Sequence, residues 1–202
     1  MAAGKSTVSK ILKEQGFFII DADRTAHEVL KQPAVIERLA EAFGRDILTP
    51  DGQIDHPRTA EKAFASAENT AKLNAVVHPA VIETMLETAD EFLLEYPEIP
   101  VIFDVPLLFE AGMDKYCDRI LTVAADDETR YLRIMLRDGL TREQAARRIA
   151  RQMPQEEKIA RSDAVIWNDA GLPELRDSIL SALAKICAAP QGDYESDDND
   201  GA

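Results

Sequence analysis

The chain has 202 residues, a formal net charge of −14 at pH 7 and 46% hydrophobic residues, which is typical of one domain with room for an inserted subdomain. The acidic balance argues against nucleic acid as the main partner, because a phosphate backbone requires clustered Lys and Arg. No apolar run is long enough to span a membrane, and two distant cysteines, Cys117 and Cys187, fit a reducing cytoplasm in which both are buried, inert thiols.

The first feature along the chain is the tetrapeptide Gly4–Thr7 (GKST), which matches the second half of the phosphate-loop pattern G-x-x-x-x-G-K-[ST]. We predict that its N–H groups open a helix that attracts anions. Lys5 then supplies charge for the β- and γ-phosphates, and Ser6 offers its hydroxyl to Mg²⁺. We expect a strand and the first glycine of the loop to lie before Met1. The alternative is a plain helix start capped by Ser6 or Thr7.

Helices and strands alternate along the rest of the chain, which predicts an α/β fold with a parallel sheet flanked by helices. Short apolar runs predict buried strands at 17–20, 101–105, 120–124 and 164–167. Helices are predicted at 5–15, 22–31, 34–43, 57–96, 127–137, 141–151, 154–160 and 172–187. Within 57–96 we expect a long helix that begins at Pro79, because Pro suits the first turn of a helix.

These elements predict a single domain over residues 1–189. The helix-rich stretch at about 34–96 is interpreted as an insertion beside the nucleotide core, and about 138–160 as a lid. Residues 190–202 are acidic and nearly free of apolar side chains, so we expect a disordered tail there.

Two aspartates follow the strand predicted at 17–20, in the sequence Asp21-Ala22-Asp23. Ligands of open parallel sheets bind at the carboxyl ends of strands, so we predict that both carboxylates face the phosphate site. One would hold the acceptor or a metal-bound water, and the other, for which we favour Asp23, would accept the proton of an attacking hydroxyl. The alternative is that either aspartate only caps the next helix.

Two further segments carry candidate functional residues. His78 lies in the sequence Asn74–Pro79, and from the residues alone we interpret it as a structural hydrogen-bonding residue. Asp104 ends a strand, where phosphate-loop proteins often keep a carboxylate near Mg²⁺. The apolar run Pro106–Phe109 then requires a ligand or lid to cover it, or else it packs as a buried loop.

Two arginine clusters stand out in so acidic a sequence. Three arginines share one helix face at spacings of three and four, and three more crowd the next helix. The members are Arg130, Arg133, Arg137, Arg147, Arg148 and Arg151. Arginine stabilises the charge of a transferred phosphoryl group, and we predict this role for Arg137 first, because it precedes the turn at Gly139. The alternative is that these arginines lie on solvated helix faces and pair with Asp and Glu, and this holds for some of the six arginines.

In this order the motifs resemble the dephospho-coenzyme A kinase family. The matching pieces are GKST at 4–7, IDAD at 20–23, NAVVHPAVI at 74–82, DVPLLFEAG at 104–112, RIMLRDGLTREQAARRIARQMPQEEK at 133–158 and SDAVIWNDAG at 162–171. They extend over nearly the whole chain before the tail.

The resemblance implies transfer of the γ-phosphate of ATP to the ribose 3′-hydroxyl of dephospho-CoA, the last step of coenzyme A biosynthesis. It implies a core of the nucleoside-monophosphate-kinase type, a helical CoA-binding region and a lid, with ATP and Mg²⁺ as cofactors. Carried over by position, the resemblance implies that the catalytic residues are Lys5, Asp23 and Arg137 and that the metal ligand is Ser6. The ATP-binding residues would be Ala2, Ala3, Gly4, Lys5, Ser6, Thr7 and Asn168. The acceptor-site residues would be Asp21, His78, Leu107 and Leu108.

Two alternatives to this function remain. The family pattern has a strand and a Gly-rich turn before GKST, where this chain has only Met1-Ala2-Ala3, so a truncated, non-catalytic nucleotide- or CoA-binding protein is one alternative. Another small-molecule kinase of the same fold is the second, although the His78-Pro79 and PLLFE segments argue against it.

Overall fold

The computed structural model describes residues 1–188, in two compact units. One, called here the loop unit, consists of Met1–Val8 together with the residues from Gly112 onward, and the other, the helical unit, is Ser9–Ala111. Helix α1 (Lys5–Glu14) begins in the loop unit and ends in the helical unit. The acidic tail predicted at 190–202 lies outside the described residues.

The helical unit contains a parallel pair of strands, β1 (Phe18–Asp21) and β2 (Val101–Asp104). Their register pairs Phe18 with Val101 at one end and Asp21 with Asp104 at the other, so two carboxylates end neighbouring strands at the same edge. At the opposite end, the Phe18 ring stacks on Phe92 with ring centroids 3.9 Å apart.

The helices of this unit pack on one long helix. They are α2 (Ala22–Val29), α3 (Pro33–Phe43), α4 (His56–Ala63) and α5 (Ala67–Glu95). Helices α2, α3 and α4 and both strands contact α5. Val29, Leu39 and Met85, from three different helices, are completely buried, so the core of the unit lies around α5.

The long helix differs from its prediction at its start. It begins at Ala67 with Ser66 as its cap, and Pro79 lies inside it, whereas the sequence predicted a helix that starts at Pro79. Proline has no N–H to donate to the carbonyl four residues earlier, but 29 residues of packed helix compensate for one missing hydrogen bond. His78 therefore lies in mid-helix and not before a helix.

The loop unit contains a second parallel pair, β3 (Leu121–Ala124) and β4 (Ala164–Trp167). Its helices are α6 (Asp127–Asp138), α7 (Arg142–Ile149), α8 (Gln155–Ala160) and α9 (Leu172–Ala188). Helix α9 packs on β4, α8 on β3, and α7 on α6. Ile134, Ile166 and Ile179 are completely buried and form the centre of this unit.

The predicted elements are confirmed apart from the start of the long helix and small shifts at their ends. All four predicted strands are present and both pairs are parallel. Two short 3₁₀ helices, Arg45–Ile47 and Asp114–Tyr116, were not predicted. Among the residues that the structure describes, no helix is long and apolar enough to cross a membrane.

The half-buried thiol of Cys117 fits the prediction of an inert cysteine. Burial raises its pKa to about 11, with Asp114 and Asp118 acting in the same direction, so the thiolate is scarce at neutral pH. The side chain of Cys187 lies outside the described part of the protein.

Met85→Ala tests the core around α5. Met85 is completely buried, so the substitution should lower the free energy of unfolding by about 2–5 kcal/mol. Leu94→Ala, on the same helix but 87% exposed, should change it by no more than about 0.5 kcal/mol. Urea unfolding measures both, and equal losses would contradict this assignment of the core.

Candidate active site

The loop that precedes α1 has a left-handed backbone at two positions. The φ angle is +59° at Ala2 and +92° at Gly4. A residue with a Cβ adopts this conformation at a cost of about 1–3 kcal/mol, so the conformation at Ala2 must be held by its surroundings. Left-handed residues in a short loop are typical of concavities in which successive N–H groups point to one side and bind anions.

Helix α1 starts immediately after Gly4. The N–H groups of Thr7 and Val8 donate to the Gly4 carbonyl at 3.0 and 3.2 Å, so Lys5 and Ser6 stand in the first turn. The alternative in which Ser6 or Thr7 caps the helix from outside is therefore wrong. The first turn contains no acidic side chain, and it lies at the positive end of the helix dipole.

The carbonyl oxygens of the loop are bound by side chains from two distant segments. Nη1 of Arg133 donates to the oxygens of Ala2 and Ala3 at 3.4 and 3.3 Å, and its Nη2 donates to the main-chain oxygen of Asn168 at 2.8 Å. Nδ2 of Asn168 donates to the oxygen of Ala3 at 2.7 Å. The loop is thus tied both to α6 and to the segment after β4.

A second arginine of α6 binds the start of the same loop. Nε of Arg130 donates to the Met1 oxygen at 3.2 Å, and its Nη1 donates to Asp127 at 2.9 Å. The residue is only 5% exposed, and a buried charge requires such partners. The sequence placed Arg130 and Arg133 on one helix face with Arg137, but gave no signal that these two bind main-chain carbonyls.

Gly4 is in close contact with Asn168. A Cβ on Gly4 would lie 2.1 Å from Nδ2 of Asn168. The Asn168 side chain cannot easily move away, because the residue is 8% exposed and its Nδ2 is held by the Ala3 oxygen at 2.7 Å. The predicted ATP-binding residues Ala2, Ala3, Gly4 and Asn168 are therefore brought together, while their contacts with ATP stay a prediction.

The two aspartates after β1 have different local roles. Asp21 caps α2, and its carboxylate accepts a hydrogen bond from the N–H of Arg24 at 3.0 Å. The capping alternative is thus confirmed for Asp21. Asp23 is exposed in the first turn of α2, and its main-chain oxygen lies 2.7 Å from Nδ1 of His27. Because Asp21 occupies the N-cap position and Asp23 lies inside the first turn, the carboxylate of Asp23 is not the cap of the helix.

Asp104 lies beside Asp21 at the end of β2. It is 7% exposed, and its Oδ2 accepts a hydrogen bond from the Ser9 hydroxyl at 2.7 Å. The sequence indicated a carboxylate at this strand end, but it gave no signal for the partner on α1.

The predicted acceptor-site residues belong to the helical unit. His78 is half-buried on α5, and burial lowers its pKa, so its ring is neutral at pH 7. Leu107 is 39% exposed, whereas Phe109, two residues on, is buried. The buried-loop alternative therefore holds for Phe109 and not for Leu107, with Leu108 intermediate.

Arg137 is paired with a neighbouring carboxylate. Its Nε and Nη2 donate to Asp138 at 2.8 and 3.0 Å, and Arg148 of α7 donates to the same carboxylate at 2.7 Å. These bonds, Arg137 first, lower the pKa of Asp138. The alternative of a solvated, paired arginine describes Arg137 here, and its contact with a phosphoryl group stays a prediction.

Comparison with known proteins decides the family. A family model described as dephospho-CoA kinase matches residues 1–174. The chain belongs to the dephospho-CoA kinase family. It is 42% identical over 175 residues to the dephospho-CoA kinase of Fusobacterium nucleatum, covering 87% of this chain and 89% of the relative. It is 40% identical over 188 residues to the dephospho-CoA kinase of Corynebacterium glutamicum, covering 92% of this chain and 93% of the relative.

Solved structures agree with this dephospho-CoA kinase assignment. A Thermus thermophilus protein, 34% identical, matches with a TM-score of 0.72 over 92% of this chain and 93% of its own. The dephospho-CoA kinase of Campylobacter jejuni, 28% identical, matches with a TM-score of 0.69 over 92% of each protein.

The family and the α/β phosphate-loop kinase fold predicted from the sequence are thereby confirmed. The predictions that the protein is a transferase, that it is a kinase and that it acts in coenzyme A biosynthesis are confirmed as well. Kinase activity implies ATP as the phosphoryl donor. The roles of individual site residues stay predictions.

Gly4→Ala, compared with Gly16→Ala, tests the contact between the loop and Asn168. The φ angles are +92° and +95°, but a Cβ on Gly16 meets nothing within 4 Å. Both variants should lose about 1–2 kcal/mol of unfolding free energy to backbone strain. Only Gly4→Ala also forces the Asn168 amide aside, so it should lose more and should weaken ATP binding.

Urea unfolding and ATP titration by calorimetry measure these effects. Equal losses of stability in the two variants, with ATP affinity unchanged in both, would show that the contact is unimportant.

Proposed function

We propose that this protein transfers the γ-phosphate of ATP to the ribose 3′-hydroxyl of dephospho-CoA, giving coenzyme A and ADP. The observation that carries the proposal is Lys5 in the first turn of α1, directly after a loop whose carbonyl oxygens are bound by Arg133 and Asn168, in a member of this family. Such a loop and helix start can bind phosphate through N–H groups and one lysine charge.

Lys5 and the loop N–H groups would hold the donor. The ammonium of Lys5 is a compact charge suited to the β- and γ-phosphate oxygens. Phosphoryl transfer depends mainly on positioning and electrostatic stabilisation, so these groups would contribute both to binding and to rate. If Arg137 exchanged its bonds to Asp138 for bonds to phosphate oxygens, its positive charge would stabilise the negative charge of the transferred group.

The residues present fit a Mg²⁺ ion that is held mostly by the nucleotide. Mg²⁺ keeps several waters and needs only one or two protein oxygens besides substrate phosphates. The exposed Ser6, in the first turn of α1, offers one such hydroxyl. Among residues 1–188, no group of three or more His, Cys, Asp or Glu could hold a metal by itself. Bound Mg²⁺ would neutralise charge on the phosphates.

Asp23 would act on the acceptor. It is exposed in the first turn of α2 and its carboxylate does not cap that helix, so it is available to accept the proton of the 3′-hydroxyl. Asp21 would lie beside the acceptor, neutral His78 would offer a hydrogen bond, and Leu107 with Leu108 would line the site. We assign acceptor binding to the helical region at about 34–96 and the lid to about 138–160.

We place this enzyme in the cytoplasm, without nucleic acid or membrane as partner. The net charge of −14 supports the exclusion of nucleic acid, because phosphate backbones repel so acidic a protein.

The proposed function is tested by incubating the protein with ATP, Mg²⁺ and dephospho-CoA. Coupled ADP release gives the rate, and phosphorus NMR of the product should show a new phosphate on the ribose 3′-oxygen. Binding of both substrates without ADP release would support the non-catalytic alternative. Turnover with other hydroxyl acceptors, but not with dephospho-CoA, would support a different small-molecule kinase.

Lys5→Ala should lower kcat/KM for ATP by about a hundredfold or more, the size expected for loss of a charge-stabilising group in the transition state. Lys10 is an exposed lysine on the same helix, so Lys10→Ala is the matched control and should retain normal kinetics. Near-normal turnover of Lys5→Ala would contradict the phosphate-loop assignment.

Asp23→Asn should lower kcat by about 10²–10⁴-fold with little change in the KM for dephospho-CoA, because a base acts mainly in the transition state. The exposed Asp90 of α5 provides the control variant Asp90→Asn. A raised KM with an intact kcat would make Asp23 a binding residue.

A further inference from the structure

The guanidinium of Arg133 binds three carbonyl oxygens that belong to two segments. Two are consecutive in the loop, on Ala2 and Ala3, and the third is on Asn168 after β4. Arg133 is half-buried on α6. All three of these acceptors are main-chain oxygens, so the role of the side chain is to hold main chain.

The peptide geometry determines where the loop N–H groups point. Residues 1–188 include no cis peptide bond, and in a trans peptide unit the carbonyl and the next N–H point in opposite directions. The oxygens of Ala2 and Ala3 point at Arg133, so the N–H groups of Ala3 and Gly4 point away from it. Nδ2 of Asn168, on the Ala3 oxygen, fixes the second unit in the same sense.

We propose that Arg133 is a positioning residue for phosphate binding, which fixes the loop so that the N–H groups of Ala3 and Gly4 face the phosphates of ATP. This inference rests on the proposed function and deepens it. Without the guanidinium, the peptide unit of the Ala2 carbonyl loses its side-chain donor and can turn over, which presents a carbonyl oxygen to an anion. The unit of the Ala3 carbonyl keeps only the bond from Asn168, whose own main-chain oxygen has lost Arg133 as well.

The shape of the guanidinium matters as well as its charge. Its planar fork of N–H donors can bind several oxygens at fixed angles, whereas a lysine ammonium is a flexible point charge. Arg130, one turn earlier, adds a similar bond to the Met1 oxygen. We therefore expect lysine to replace Arg133 only in part.

A merely structural role would have a different signature from a positioning role. Arg133 also joins the loop to the segment after β4 through Asn168, and loss of that link alone would lower stability or disturb all ligands equally. A positioning role affects only ligands that carry phosphates. Inorganic tripolyphosphate isolates the phosphate contacts, and adenosine isolates the rest of the nucleotide site.

The experiment compares the full-length protein with its variants Arg133→Met and Arg133→Lys. Arg119→Met is the control, because Arg119 precedes β3 and its Nη1 donates to the Asp118 oxygen. Inhibition constants of tripolyphosphate and adenosine against ATP are measured with the KM of each substrate, below the melting temperature of every variant. Tripolyphosphate binding is also measured directly by calorimetry.

In Arg133→Met, the inhibition constant of tripolyphosphate and the KM for ATP should rise by about tenfold to a hundredfold, the range for hydrogen bonds from a charged group. The adenosine constant and the KM for dephospho-CoA should not change. Arg133→Lys should recover part of the loss, and if Arg133→Met does not fold, a partial loss specific to tripolyphosphate in Arg133→Lys supports the proposal.

Three results would overturn the proposal: an unchanged tripolyphosphate constant in Arg133→Met, equal losses for tripolyphosphate and adenosine, or full recovery with lysine. If tripolyphosphate binding to the protein requires Arg133, but the unaltered protein does not phosphorylate dephospho-CoA, the proposed function fails and this inference stands. If the unaltered protein phosphorylates dephospho-CoA but binds no tripolyphosphate, this inference fails and the proposed function stands.

Discussion

The direction of two peptide groups, set by the bonds from Arg133 to main-chain oxygens, is the constraint on which the candidate site depends. The carbonyl and N–H groups of the backbone both need partners, and a loop that offers its N–H groups to a ligand must satisfy its carbonyls from the protein. Here α6 and the segment after β4 supply those partners. The candidate phosphate site before α1 is therefore held in place only when α6 and the segment after β4 have folded around the loop.

The same constraint explains why small residues stand where they do in the loop. Gly4 is tolerated at φ +92° and leaves room for the Asn168 amide. The left-handed backbone of Ala2 is strained, and the hydrogen bond from Arg133 to its own carbonyl helps to hold it. Lys5 and Ser6 follow at the positive end of α1, so loop, helix dipole and lysine charge all favour an anion at one place.

Much of the fold could be predicted because its signals are local. Short apolar runs between helices were sufficient to locate four parallel strands, such as Ala164–Trp167. The start of the long helix was wrong, because Pro79 is a local signal for a helix start and tertiary packing along α5 overrides it.

The site was only partly predictable. Motif spacing identified Lys5 and Ser6 as the residues that open α1. Spacing alone could not tell that Arg130 and Arg133 of α6 reach the loop, nor that Ser9 binds Asp104, since both depend on contacts between segments distant in sequence.

The most direct measurement of the central claim is the amide NMR spectrum of the loop as ATP is added. If the carbonyls of Ala2 and Ala3 are held by Arg133, the N–H protons of Ala3 and Gly4 donate to phosphate oxygens, and their resonances should move strongly downfield at saturation. A charge-assisted hydrogen bond is short and strong, so these shifts should exceed those of amides in the loop unit outside Met1–Val8. Saturation with ATP that leaves the amide protons of Ala3 and Gly4 unmoved would contradict the claim.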